Sequence, residues 1–198
     1  MKKYFVNWCM NIIQSNNKDL SQKEIDKMRY GLEGLYLNIT KIILILIISL
    51  ILRIFKETII LLLIFNVIRF FAFGVHAKRS IDCLISSSLF FLGFPILCIK
   101  LNIPDLIKII SFIPILLLII IYAPSDTVKR PLRNKKKRIF YKTCSIIIAI
   151  IYMILSIIIR DNTLSNCFFF ALVIQVIVIL PITYKVFGVP YNNHKERD

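Results

Sequence analysis

Apolar residues fill most of the 198-residue chain in runs separated by short charged stretches. A helix that crosses a bilayer needs about 20 mainly apolar residues. Six stretches approach that length: 35–52, broken only by Lys41; 58–75, with Asn66 and Arg69; 80–99; 109–123, with Pro114 inside; 139–159, with Lys142 near its start; and 164–186, broken late by Pro181. The pattern therefore predicts an all-α polytopic membrane protein with about six transmembrane helices, the second and fourth being the least apolar or shortest. Ahead of them, Tyr4, Phe5, Trp8, Cys9, Ile12 and Ile13 recur at helical spacing, with Lys2, Lys3, Asn7 and Asn11 between. That is an amphipathic helix suited to the membrane interface and too polar to span it. Ser21 followed by Glu24 is a capping-box pattern that opens a second helical piece through Ile25, Met28 and Leu32 toward the first span.

Composition strengthens the membrane reading, since 58% hydrophobic residues exceeds the share of about half usual in soluble domains. One integral membrane domain, 1–198, is expected, with an amphipathic segment at 1–34 and a basic cytoplasmic loop at 128–138. The net charge of +15 is not evenly spread. With both termini in the cytoplasm, six spans put 19 Lys and Arg on the inner side and 5 on the outer, as the positive-inside rule requires. The basic balance is thus explained by a bilayer with anionic lipids, and nucleic acid is not expected as a partner. The five cysteines, Cys9, Cys83, Cys98, Cys144 and Cys167, form no CxxC or Cys/His ligand spacing. Neither a disulfide framework nor a zinc site is suggested, and no metal or other cofactor is expected. The first residues lack the small-residue cleavage site of a signal peptide.

Chemistry concentrates between Arg69 and Cys83. His76 is the one histidine beside the apolar body, because His194 lies in the polar tail. A cysteine nucleophile acts as thiolate, favoured by a neighbouring imidazolium or by a helix N-terminus. With Ser80 as N-cap of the third span, Cys83 falls in the first turn. In one unbroken helix His76 and Cys83 would stand about 10.5 Å apart along the axis, too far for a hydrogen bond. A dyad of Cys83 and His76 therefore requires a break, and Gly74 is where the chain can turn: a helix ending near Phe73, a turn through Gly74 to Lys78, then a new helix. Asp126, in Ala123-Pro-Ser-Asp-Thr127, is a candidate to orient the imidazole.

Other readings stand beside these. A lone histidine at a helix end is often a capping residue, and a membrane cysteine a small apolar filler. Arg69 can snorkel, and Asp126 can simply cap a turn. The basic stretch with Lys129, Arg130, Lys135, Lys136 and Lys137 has topology control as its first explanation, and it would equally suit an acidic peptide tail. A peptide exporter or small-solute carrier, in which His76 and Arg69 line a path, is the main alternative to an enzyme.

At this point the residues resemble a family, the accessory gene regulator B (AgrB) peptidases of Gram-positive bacteria. The resemblance rests on Arg69-x4-Gly74-Val-His76-Ala-x5-Cys83, on Tyr122-Ala-Pro-Ser-Asp-Thr-Val-Lys-Arg-Pro131 and on Tyr30-Gly-Leu-Glu33, and it covers nearly the whole chain. Phe73 departs from the pattern, where the family commonly has a second glycine. The resemblance implies a cysteine endopeptidase that removes the C-terminal tail of a quorum-sensing precursor peptide through an acyl-enzyme thioester. A cysteine of the precursor would then close a thiolactone ring, or a serine a lactone. Carried over by position, Cys83 is the nucleophile, His76 the base, and Arg69 and Gly74 supporting residues. The partner is a short precursor peptide with an acidic tail. Whether a homodimer forms is left open.

Overall fold

The computed structural model describes residues 2–16, 21–75, 79–126, 132 and 134–191. These are helical almost throughout, and no strand occurs among them beyond a single isolated bridge between Phe73 and Ser125. The chain forms two compact units, Met1–Ile48 and Ser49–Asp198.

In the first unit, α1 (Lys2–Asn16) and most of α2 (Gln22–Ile51) are joined by a Lys2–Glu33 ion pair at 2.7 Å and a Phe5–Tyr36 ring contact. Helix α1 is amphipathic, burying Val6 and Met10 while Tyr4, Trp8 and Ile12 stay exposed at spacing i, i+4, i+8. The capping pattern at Ser21 operates in half: the Glu24 carboxylate accepts from the Ser21 backbone N–H at 2.9 Å and its hydroxyl at 2.7 Å. The piece it opens does not stop before the first span. It runs on as one helix through Gly31 and Gly34.

The second unit holds α3 (Phe55–Ala72), α4 (Ser80–Ser88), a π-helical turn (Leu89–Gly93), α5 (Phe94–Lys100), α6 (Asp105–Tyr122), α7 (Lys135–Ile158), α8 (Asn162–Ile179) and α9 (Pro181–Val186). The π turn precedes Pro95, whose ring and missing N–H do not fit an unbroken α-helical ladder, and it lets α4 and α5 continue as one span. Helix α8 is the centre. It is apolar nearly all round, two thirds (67%) of it is buried against 17% of α6, and its largest contacts are with α3 and α7. Most other helices turn apolar residues outward, as Leu106, Ile110, Ile113, Leu117 and Ile121 of α6 do. Such a surface suits hydrocarbon.

Among the described residues five helical stretches are long and apolar enough to cross a membrane: Glu24–Ile51, Ile81–Lys100, Asp105–Tyr122, Lys135–Ile158 and Asn162–Ile179. The sixth expected span corresponds to α3, which has 18 residues but carries Lys56, Glu57 and Arg69 and so falls outside these five. Those charges sit in its first and last turns. Its start, after Ile54, shares a cavity wall with Lys100, and its end at Ala72 accepts a hydrogen bond from Ser125, just past α6. Helix α3 therefore runs the length of the unit beside its more apolar neighbours.

Candidate active site

The break required between Arg69 and Cys83 is present. Helix α3 ends at Ala72 and α4 begins at Ser80. Two residues carry the turn with positive φ, Phe73 at 55° and Gly74 at 129°. Glycine is required at 74 for a second reason: a Cβ there would stand 2.1 Å from Arg69 Nη1 and 2.8 Å from the Val178 carbonyl oxygen. Phe73 takes a conformation that an L residue rarely adopts. Its ring is 5.1 Å from Tyr141, and its carbonyl accepts from both Arg69 Nη1 and Gln175 Nε2 at 2.9 Å. Packing and two hydrogen bonds, the one from Gln175 buried and the one from Arg69 partly so, hold the strained residue.

Arg69 clasps the whole turn. Besides the bond to Phe73, its Nη2 donates to the carbonyls of Gly74 at 3.2 Å and Val75 at 2.6 Å. The fork thus satisfies acceptors that the end of a helix leaves free. From the other side, Gly74 N donates to Ser125 O and Val75 N to Val178 O, each at 2.9 Å, while Ser125 N donates to Ala72 O at 3.0 Å. The turn is therefore stitched to the segment after α6 and to the end of α8. A snorkelling arginine would make none of these bonds.

Cys83 lies on α4, partly exposed, with its backbone N–H bonded to Arg79 O at 3.2 Å. The N-cap is Arg79 rather than the expected Ser80, so Ser80 is the first helical residue and Cys83 completes the first turn. His76 follows Val75 directly in sequence but lies outside the described residues, as do Lys129 and Arg130.

Asp126 is buried at 2% exposure, and its carboxylate accepts from Leu132 N at 3.4 Å. Beside it the Tyr184 hydroxyl accepts from Ser125 Oγ at 3.0 Å and shares its own hydrogen between the carbonyls of Ser125, at 3.0 Å, and Asp126, at 3.1 Å. The peptide bond between Ala123 and Pro124 is cis. Past α9, burial pushes the Tyr191 phenol above its usual value, with the charges of Tyr122 and Asp126 adding to this and Arg138 opposing it.

Lys135, Lys136 and Lys137, expected in a loop, are instead the exposed first turn of α7, capped by Asn134, whose side chain accepts from Lys136 N at 2.9 Å and Lys137 N at 3.4 Å. Three cations at a helix N-terminus oppose the helix dipole. Next to them Arg138 has a buried Nη1 with no hydrogen-bond partner. This end of the unit is therefore strongly receptive to anions.

The sequence singles out Arg69, Gly74, Cys83 and Asp126; it does not single out Ser125, Gln175, Val178 and Tyr184, which the structure places around the turn. A glutamine in the apolar run 167–180 was the one legible signal among these. Among the described residues no cluster of three His, Cys, Asp or Glu could hold a metal.

Architecture and turn together define a class: an all-helical chain with several membrane-length spans, organised around an arginine-clasped turn beside a cysteine. The chain belongs to the accessory gene regulator B family, whose sequence profile matches residues 6–179. It is 36% identical over 182 residues to an AgrB-like protein of Clostridium acetobutylicum, covering 91% of this chain and 87% of that one. It is 32% identical over 174 residues to accessory gene regulator protein B of Staphylococcus aureus, covering 87% and 89%. The protein of the same name from Staphylococcus saprophyticus is 33% identical over 155 residues, covering 78% and 80%. No solved structure matches the chain.

Proposed function

We propose that the protein is a membrane cysteine endopeptidase that trims the C-terminal tail from a quorum-sensing precursor peptide and leaves the remainder as a thioester on Cys83. The observation that carries this reading is the turn at 73–75, which Arg69 holds by three carbonyls and which ends α3 so that a new helix can place Cys83 in its first turn. An enzyme thiol must become anionic to attack, and a helix N-terminus favours that state; Cys83 completes the first turn of α4. In the reaction, Cys83 Sγ bonds to the scissile carbonyl carbon and the C–N bond breaks. His76, having taken the thiol proton, returns it to the leaving amine. A precursor cysteine then attacks the thioester, releasing Cys83 and closing the thiolactone ring.

A site shielded by apolar helices favours this second transfer over hydrolysis, because thioester exchange with a thiol is nearly balanced while water would discard the activation. The basic first turn of α7 lies at the same end of the unit as the turn, and an acidic precursor tail fits it. That end is the cytoplasmic one by its charge.

The test is cleavage of a precursor from the same genome by the full-length protein in lipid. Cys83→Ala and His76→Ala should abolish cleavage, while Cys9→Ser and Cys144→Ala retain it. Cleavage that survives in correctly inserted Cys83→Ala would reject the thiol mechanism. A chain that moves peptide across the membrane with every thiol alkylated would instead be a carrier.

A further inference from the structure

At the end of the second unit away from Arg69, α6 buries a lysine. Lys108 is 2% exposed, and its Nζ donates to Ser165 Oγ at 2.6 Å and to Ser156 O at 3.4 Å. Ser165 Oγ also donates to Ser156 O, so the two serines and the ammonium form one closed group. An ammonium at such depth loses most of its hydration, a penalty that only an opposite charge offsets well. Both acceptors are neutral. Among the described residues the one ion pair is Lys2–Glu33, so no carboxylate pairs with Lys108.

The group opens on a cavity of about 370 Å³ lined by Asn102, Asp105, Lys108, Arg160, Asn162 and Ser165. Arg160 adds a second cation to its wall and Asp105 one anion. Helix α6 begins at this cavity without a side-chain cap, which adds the positive pole of its dipole. From Lys108 to Tyr122 the helix rises about 21 Å, so the cavity is separate from the clasped turn. We infer that this cavity is a binding site for a phosphate oxyanion, with Lys108 as its buried counter-charge and Arg160 closing on it from the mouth. Arginine and lysine together suit phosphate. The position fits as well: the cavity lies where α6 and α8 start and α7 ends, and helices of membrane length end near the headgroups. A lipid phosphodiester and free phosphate share this chemistry. The inference does not depend on the peptidase reading.

Native mass spectrometry of the full-length protein in detergent tests it with three probes: dioctanoyl phosphatidylglycerol, inorganic phosphate, and dioctanoylglycerol, which has the same chains and no phosphate. Wild type and Lys108→Arg should bind a phosphate probe about tenfold or more tightly than Lys108→Met, and Arg160→Gln should weaken it by a smaller factor. Binding of phosphatidylglycerol alone assigns the site to a lipid headgroup. Binding of inorganic phosphate with the same dependence on Lys108 assigns it to the free anion. Equal binding by wild type and all variants, or dioctanoylglycerol bound as well as phosphatidylglycerol, overturns the inference. Where Lys108→Met does not fold, the exposed Arg160→Gln decides, and unchanged phosphate binding in it counts against the site.

Discussion

Gly74 and Phe73 divide one strained turn between them. At Gly74 both φ and space forbid a side chain, since Arg69 and the Val178 carbonyl occupy the place of a Cβ. Gly74→Ala should cost at least about 1–3 kcal/mol and displace the guanidinium, measured as a lower melting temperature in detergent with cleavage lost. Gly31→Ala and Gly34→Ala meet nothing within 4 Å, so neither should destabilise the protein. At Phe73 the usual order of substitutions should invert. Phe73→Ala loses the ring contact with Tyr141 and keeps the unfavourable φ, whereas Phe73→Gly loses the ring and relieves the backbone. The glycine variant should melt higher than the alanine variant; the reverse order would deny that the backbone at 73 is strained. Arg69 and Gly74 were legible because a charge and a turn-former are rare in an apolar run. Their acceptors and neighbours were not, because Gln175 reaches Phe73 across 102 positions and Tyr184 reaches Ser125 across 59.

Elements give the turn its setting. Helix α3 brings Arg69, α8 brings Gln175 and Val178, and the segment between α6 and α7 brings Ser125 and Asp126. Apolar run lengths predicted these helices well, and Pro181 marked the joint between α8 and α9. Those lengths could not say that α3 would pack against the central helix, nor that the basic stretch would enter α7. Both outcomes depend on tertiary packing and capping, here Asn134 at the head of α7. Helix α9 is tied to the Ser125 segment by one phenol. Tyr184→Phe should remove three hydrogen bonds from the Ser125–Asp126 segment, leaving Ser125 Oγ with Ile179 O and Ser125 O with Gly74 N, and should lower stability by about 1 kcal/mol. Protease sensitivity of the linker after Tyr122 should rise with it; an unchanged melting temperature would show that the phenol does not hold the segment.

At the largest scale, the second unit is polarised. One end carries the clasped turn, Cys83 and the cationic start of α7; the other carries the Lys108 cavity. If the acidic precursor tail docks on α7, changing Lys135, Lys136 and Lys137 together to Gln should raise the precursor concentration needed for half-maximal cleavage severalfold and leave the saturated rate nearly unchanged. A fall in the saturated rate alone, with insertion intact, would place those lysines elsewhere in the mechanism. The central claim is acyl transfer to Cys83, and its most direct measurement is the mass of the protein during turnover. Full-length protein in lipid, mixed with precursor and quenched in acid, should carry an adduct equal in mass to the precursor without its tail, mapped to Cys83 and absent from Cys83→Ala. Cleavage of the precursor with no adduct at any quench time, or an adduct that persists in Cys83→Ala, would contradict the account.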